Sequence, residues 1–105
     1  MFPNTARQFV NDLLFETEAG RISWQFDPER GSVETTNTPY KAEVEYWFNP
    51  NEELGMFFFR YTPEGSAHHL NFSATQGEND YHLAQRLFDS AQASTIEFPT
   101  IRPRY

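Results

Sequence analysis

Three histidines are the side chains best suited to bind a metal ion or to transfer a proton near neutral pH. His68 and His69 are adjacent, and neighbouring residues of a strand project to opposite faces, so the two rings do not share one metal ion without a bulge. His82 falls in a separate predicted helix, and the sequence contains no HxH or HExxH pattern. We therefore expect packed or solvated imidazoles, with no metal site and no cofactor.

Paired carboxylates are the second candidate for chemistry. Glu43 and Glu45 are two residues apart on a predicted strand, so both point the same way, with a spacing of about 7 Å that would suit general acid–base catalysis. Alternating glutamates are also common on the solvent-exposed face of a strand, where they keep the protein soluble, and we favour that interpretation. The chain has no G-x-S-x-G, P-loop or G-x-G-x-x-G motif. These patterns predict a protein that is not an enzyme.

A predicted hairpin over residues 40–61 positions the two carboxylates. Its first arm alternates apolar and polar residues, which is typical of a strand with one face on a core. An Asn-Pro-Asn turn at 49–51 joins the two arms. The second arm carries four apolar residues in succession, Met-Phe-Phe-Phe at 56–59, so this strand has large side chains on both of its faces.

The flanking segments predict two helices. Thr5 and Gln8 form a capping box ahead of an apolar stripe at helical spacing, and Gly20 falls where that first helix ends. Asn79 or Asp80 is expected to cap the second helix through its side-chain oxygen.

Further strands are predicted at 21–26, 33–35 and 67–74 from their alternating apolar residues. All elements together predict an α+β fold, an antiparallel β-meander of four to five strands with an N-terminal and a C-terminal helix packed on one face. Residues 1–98 would form this single domain, and residues 99–105 would form an extended tail rich in Pro and Arg.

Strand alternation divides the sheet into an inner face toward the helices and an outer face away from them. The inner face would comprise Ile22, Trp24, Phe26, Tyr40, Val44, Tyr46, Phe48, Phe57, Phe59, Leu70 and Phe72. The outer face would carry an apolar cluster of Trp47, Met56 and Phe58, with Asn71 nearby and a rim of Glu43, Glu45, Arg60 and His69. Aromatic residues, Met and Arg inside a polar rim are typical of protein interfaces, so we expect this cluster and rim to bind a partner. In the alternative, the tail folds across the outer face and covers the cluster with Ile96 and Phe98.

One resemblance follows from the order of the elements. Its positions are Phe9, Val10, Leu13, Leu14, Thr17, Gly20, Ile22 and Trp24, with Leu87 in the closing helix. In these positions and in layout, most of the chain resembles small uncharacterised helix–meander–helix domains of bacterial and phage proteins. The resemblance implies the same α+β fold and brings no activity or functional residue with it.

The composition is acidic, with 15 Asp and Glu against 8 Lys and Arg and a net charge of -7. Because nucleic-acid binders neutralise phosphates with clustered Lys and Arg, direct binding of nucleic acid is not expected. The chain has no cysteine and no apolar run near the ~20 residues of a membrane span, so we expect a cytoplasmic protein without a membrane segment. Its negative charge would steer it toward a basic surface on another protein.

These observations predict a small protein-binding or inhibitory module, of the immunity, anti-defence or regulatory type, that docks a partner protein through the outer face. Two alternatives stay open. The first is a ligand-binding or catalytic domain with a pocket between sheet and helices, in which His68, Tyr46 or Arg60 supplies polar groups. The second is a structural homo-oligomer that pairs outer faces or edge strands.

Overall fold

A computed structural model describes residues 1–99 and 101 of the chain. Two helices flank five strands, in the order α1 (Asn4–Glu18), β1 (Ser23–Asp27), β2 (Ser32–Thr36), β3 (Lys41–Asn49), β4 (Leu54–Thr62), β5 (Leu70–Thr75) and α2 (Asn79–Ser94). The predicted α+β fold is confirmed. The proposed boundary between a domain at 1–98 and a tail at 99–105 stays a prediction, because residues 100 and 102–105 lie outside the described residues.

The five strands form one antiparallel sheet in sequence order, so the predicted meander is also confirmed. Its register aligns an apolar row across the whole inner face, made by Phe26, Val33, Val44, Phe59 and Phe72. One step along the strands, a polar row crosses the outer face and is made by Gln25, Glu34, Glu43, Arg60 and Asn71. The alternation in the sequence therefore assigns the faces of the central strands correctly.

Both helices pack on the inner face. Phe9 of α1 stacks edge-on against Tyr61, with ring centroids 5.1 Å apart, and also contacts Phe59. Phe88 of α2 lies 5.7 Å from Phe57 and 6.4 Å from Phe26 between ring centroids. Because all three of the contacted phenylalanines project from the inner face, no helix covers the outer face within the part of the chain that the structure describes.

The starts of both helices differ from the predictions. α1 begins at Asn4, directly after Pro3, and no side chain caps it, so the predicted capping box of Thr5 and Gln8 is wrong. α2 begins at Asn79 without a side-chain cap, because the residue expected to supply it is used elsewhere. The end of α1 agrees with its prediction, since Gly20 adopts a left-handed conformation with φ of 75° just past the helix.

Asp80 is the residue diverted from capping. Its carboxylate is buried and accepts the backbone N–H of Phe2 at 2.8 Å and the Nε–H of Arg7 at 2.6 Å. The Arg7 hydrogen bond lowers the pKa of Asp80 against the opposing effect of burial, and the Phe2 bond lowers it further. The ring of Phe2 is itself buried beside Phe59, so this contact fastens the start of the chain to α2.

Three predicted inner-face residues are exposed. Tyr46, Phe48 and Leu70 point toward the helix side of the sheet but lie at its ends, where the helices cover the sheet only in part. The predicted strand at 67–74 begins only at Leu70, and the predicted strand at 21–26 begins at Ser23. The helices cover less of the sheet than the sequence pattern predicts, and two strands are shorter. The ends of the sheet are therefore more exposed to solvent than predicted.

Ile96 and Phe98, which follow α2, do not cover the outer-face cluster. Ile96 and Phe98 are both exposed, so the alternative in which they seal the cluster is not what the structure shows. Among the described residues, no helix has the length and apolar character needed to cross a membrane.

Candidate functional site

The apolar cluster of the outer face is present as predicted. Trp47 on β3 lies directly opposite Met56 on β4, and Phe58 follows two residues later on the same face, opposite Glu45. The Trp47 side chain is 47% exposed, while Met56 and Phe58 are half-buried among their neighbours. The cluster therefore offers one large accessible ring supported by two apolar side chains.

The rim beside this cluster is a network of ion pairs. Glu43 is only 3% exposed, although α1 and α2 both pack on the opposite face of the sheet. Its carboxylate accepts a short hydrogen bond from Arg60 and lies 3.5 Å from the guanidinium of Arg30. Arg30 also donates to Glu45 at 3.0 Å, and Arg60 donates to Asn71 at 3.0 Å. The long arginine side chains thus cover the glutamates and neutralise them.

This network changes the role expected of the rim. Glu43 and Glu45 were predicted to belong to the partner-binding rim, and both already pair with arginines of their own chain. The sequence analysis missed Arg30, which stands in the turn before β2. Arg30 can be recognised as a partner of Glu45 only once the strand register is known. Ser32 of β2 lies opposite Glu45, so the residues just before Ser32 come close to that glutamate.

The hairpin of β3 and β4 extends past the rest of the sheet. β2 starts at Ser32, opposite Glu45, so residues 46–49 of β3 extend beyond β2, and the Tyr46 N–H donates to the Gly31 carbonyl in the preceding turn. We call residues 46–55 the hairpin tip. Its three consecutive aromatic residues, Tyr46, Trp47 and Phe48, are all exposed, with Trp47 on the outer face and the other two on the inner face.

Unpaired negative charge gathers at this end of the sheet. Glu52 and Glu53 lie in the turn of the hairpin tip, Asp27 is the last residue of β1, and Glu29 lies in the neighbouring turn between β1 and β2. All four are exposed and make no ion pair within residues 1–99. The chain has eight Lys and Arg residues, two of them after residue 100, and the other six all make ion pairs. Of the eight acids that make no ion pair within residues 1–99, four therefore lie close to the aromatic tip.

The remaining predicted rim residue does not join the cluster. His69 is exposed and precedes β5, as does His68, and His82 lies exposed on α2. Within the described residues no group of three or more His, Asp or Glu stands where it could hold a metal ion.

Two clefts among the described residues lack the polar groups predicted for a ligand pocket. A cleft of about 680 Å³ is lined by residues that include Arg7, Asn11 and Asp80. A groove of about 260 Å³ is lined by apolar residues of α1, β4 and β5 together with Thr5. Neither contains His68, Tyr46 or Arg60, so the polar groups expected to define such a pocket do not converge there.

Part of the β5 edge is occupied by the chain itself. The nitrogen of Met1 donates to the Ser73 carbonyl at 2.8 Å and lies 3.3 Å from a carboxylate oxygen of Glu78, and the N–H of Thr75 donates to that same oxygen at 2.7 Å. These bonds use backbone groups that an added strand would need. Pairing of two β5 edges would have to break them, which weighs against the edge-to-edge form of the homo-oligomer.

Comparison with models of known protein families, with curated proteins and with solved structures finds no match to this chain. The resemblance to small bacterial and phage domains stays a prediction. The chain's own residues are therefore the basis for a function. The outer face and the hairpin tip bring together exposed aromatic rings and carboxylates that make no ion pair within residues 1–99.

Proposed function

We propose that this domain is a protein-binding module without catalytic activity, which docks a partner protein through its outer face and hairpin tip. The observation that carries the proposal is the half-exposed Trp47, opposite Met56 and diagonal to Phe58 on a sheet face that no helix covers in the described part of the chain. Trp is the residue type most often found at the energetic centre of interfaces, where truncation typically costs about 2 kcal/mol or more of binding free energy.

The ion-pair network suits this face for burial against a partner. A buried charge without a counter-charge opposes binding strongly, because its lost hydration is not replaced. Glu43 already has Arg60 and Arg30 beside it, and Glu45 shares Arg30. A partner covering this area would therefore not have to supply counter-charges, and the apolar cluster could contribute its full burial energy.

The acids at the hairpin tip set the kind of partner. Glu52, Glu53, Asp27 and Glu29 face solvent around the exposed aromatic rings, so they favour a partner whose surface is cationic and partly apolar. Such complementarity raises association rates at low ionic strength and is screened as salt is added. A protein that handles nucleic acid carries a surface of this kind, and blocking it would make this module an inhibitor. The absence of cysteine is consistent with the proposed cytoplasmic location.

Affinity capture with matched baits tests the proposal. The wild-type chain, Trp47→Ala and Phe58→Ala would each be immobilised and exposed to a lysate of the cells that encode the chain. Phe15→Ala is the matched control, because Phe15 is an aromatic residue of α1 that is 65% exposed and lies away from the outer face. The proposal is supported by a protein that is retained by the wild type and by Phe15→Ala and is lost with Trp47→Ala and Phe58→Ala. Equal retention by all four baits, or by none, contradicts it.

A further inference from the structure

The segment that follows α2 carries apolar side chains that its own domain does not bury. Ile96 is 51% exposed, Phe98 67% and Ile101 90%. No helix or strand includes Ile96, Phe98 or Pro99, and Pro99 disfavours a helix at this point. Exposed apolar residues on a non-helical segment are typical of short sequences that bind another surface.

The same segment holds cations that are rare in this sequence. Arg102 and Arg104 belong to it and lie outside the described residues. The other six Lys and Arg residues are already committed to ion pairs within the folded body. Residues 96–105 thus combine apolar side chains with two arginines and one acid, Glu97, in a chain whose net charge is -7.

The hairpin tip has the complementary chemistry. Its carboxylates, Glu52 and Glu53, match arginine guanidinium groups, and charge-assisted hydrogen bonds of this type are stronger than neutral ones. The exposed rings of Trp47 and Phe48 offer surface for the apolar side chains of the segment and for stacking of a guanidinium group.

We infer that residues 96–105 bind the hairpin tip of a second copy of this chain, so that two copies exchange these segments in a reciprocal dimer. A second copy is the occupant because the apolar side chains of the segment stay exposed on their own domain. Exchange across a two-fold axis forms two identical contacts and closes the assembly. The inference rests on the proposed function, since it assigns one ligand to the same surface, and it implies that a foreign partner competes with this segment.

Charge exchange between two variants provides a specific test. Arg102→Glu with Arg104→Glu makes a tail variant, and Glu52→Arg with Glu53→Arg makes a tip variant. Each variant alone places like charges at both contacts of a dimer. A mixture restores opposite charges at both contacts, because the reversed tail meets the reversed tip and the native tail meets the native tip. Asp12→Arg with Asp89→Arg is the control, since it reverses two exposed acids on the helices, neither of which makes an ion pair within residues 1–99.

Sedimentation velocity over a wide range of concentrations measures the assembly, and circular dichroism verifies that each variant is folded. We expect the wild type and the control to dimerise. Each variant alone should dimerise with an affinity at least about tenfold lower, and the mixture should form the heterodimer. A wild type that is monomeric at every concentration overturns the inference, and so does a mixture that associates no better than its components.

The outcomes separate this inference from the proposed function. A monomeric wild type that still captures a foreign protein in a Trp47-dependent way rejects the segment exchange alone. Heterodimer formation in the mixture supports the exchange of segments. If Trp47→Ala at the same time leaves the capture of a foreign protein unchanged, the proposed function is rejected.

Discussion

Trp47 and Met56 lie directly opposite each other on β3 and β4, and both side chains project from the sheet face that neither helix covers. Opposed residues on neighbouring antiparallel strands bring their side chains into contact, so Met56 supports the indole ring without hiding it. The pair places an accessible aromatic residue next to the ion pairs of the rim, at the start of the acidic hairpin tip. This relationship distinguishes a docking surface from a core position, and stability measurements can test the distinction.

Trp47→Ala should change the free energy of unfolding little, by about 1 kcal/mol or less, because nearly half of the side chain is already in water. Phe59→Ala provides the contrast, since Phe59 is buried in the core and its truncation should cost about 3–5 kcal/mol. Urea unfolding of both variants measures the difference. A loss for Trp47→Ala that approaches that of Phe59→Ala would place Trp47 in the core and remove the basis for the interface.

Glu43→Gln should destabilise the fold by about 2 kcal/mol, because it removes the negative charge that Arg60 and Arg30 share at a buried position. Glu34→Gln is the matched control on the same face, where the ion pair with Lys41 is largely exposed and should contribute less than about 0.5 kcal/mol. Chemical denaturation of the two variants in parallel tests this. Equal effects would mean that the Glu43 network does not stabilise the sheet.

Asp80→Asn should cost about 2 kcal/mol at neutral pH, since it removes the charge that binds Arg7 and weakens the acceptor for the Phe2 N–H. Asp89→Asn is the control, an exposed acid on the same helix, and should leave stability unchanged.

The pKa of Asp80 also predicts how stability depends on pH. Its pKa in the folded state is lowered, chiefly by the hydrogen bond from Arg7, so the ionised form is favoured by folding. The corresponding stabilisation is complete above the unfolded-state pKa of about 3.9 and is lost as the pH falls through the lower folded-state value. Asp80→Asn should therefore lose less stability than the wild type between neutral and acidic pH, as measured by thermal unfolding. Parallel acid dependence in the two proteins would rule out this contribution.

Gly55→Ala should destabilise the base of the hairpin tip by about 1–3 kcal/mol through overpacking. A Cβ atom at Gly55 would stand 2.8 Å from the hydroxyl oxygens of both Tyr46 and Tyr81, so at least one ring would have to move. Tyr46→Phe combined with Tyr81→Phe removes both hydroxyls and should restore part of the loss. Near-ultraviolet circular dichroism and thermal unfolding would follow the change, and a substitution that is silent in both would contradict the close packing.

The order and faces of the strands could be predicted because they depend on local alternation. Glu43, Glu45 and Trp47 were placed on one face and Phe57 and Phe59 on the other, and the register agrees. The helix caps could not be predicted in the same way. Asp80 has the residue type of a cap, but its carboxylate is taken by Phe2 and Arg7, which are more than 70 positions away in the sequence.

The candidate site was predictable in its apolar part only. Trp47, Met56 and Phe58 follow from strand parity, whereas the neutralisation of Glu43 by Arg30 and Arg60 depends on which strands are neighbours and on their register. The exposure of Tyr46 and Phe48 depends on strand length, because β2 starts opposite Glu45 and leaves the hairpin tip projecting. These are relationships between elements, which a single strand pattern does not contain.

Site-specific photo-crosslinking tests the central claim most directly. Trp47 would be replaced by a photoreactive phenylalanine derivative in cells that make the chain, and Phe15, an exposed aromatic residue on α1, would be replaced in the same way as the control. The docking account predicts that irradiation joins a foreign protein to the chain at position 47 and not at position 15. The account is contradicted if no foreign protein is joined at position 47, or if both positions give the same adducts in equal yield.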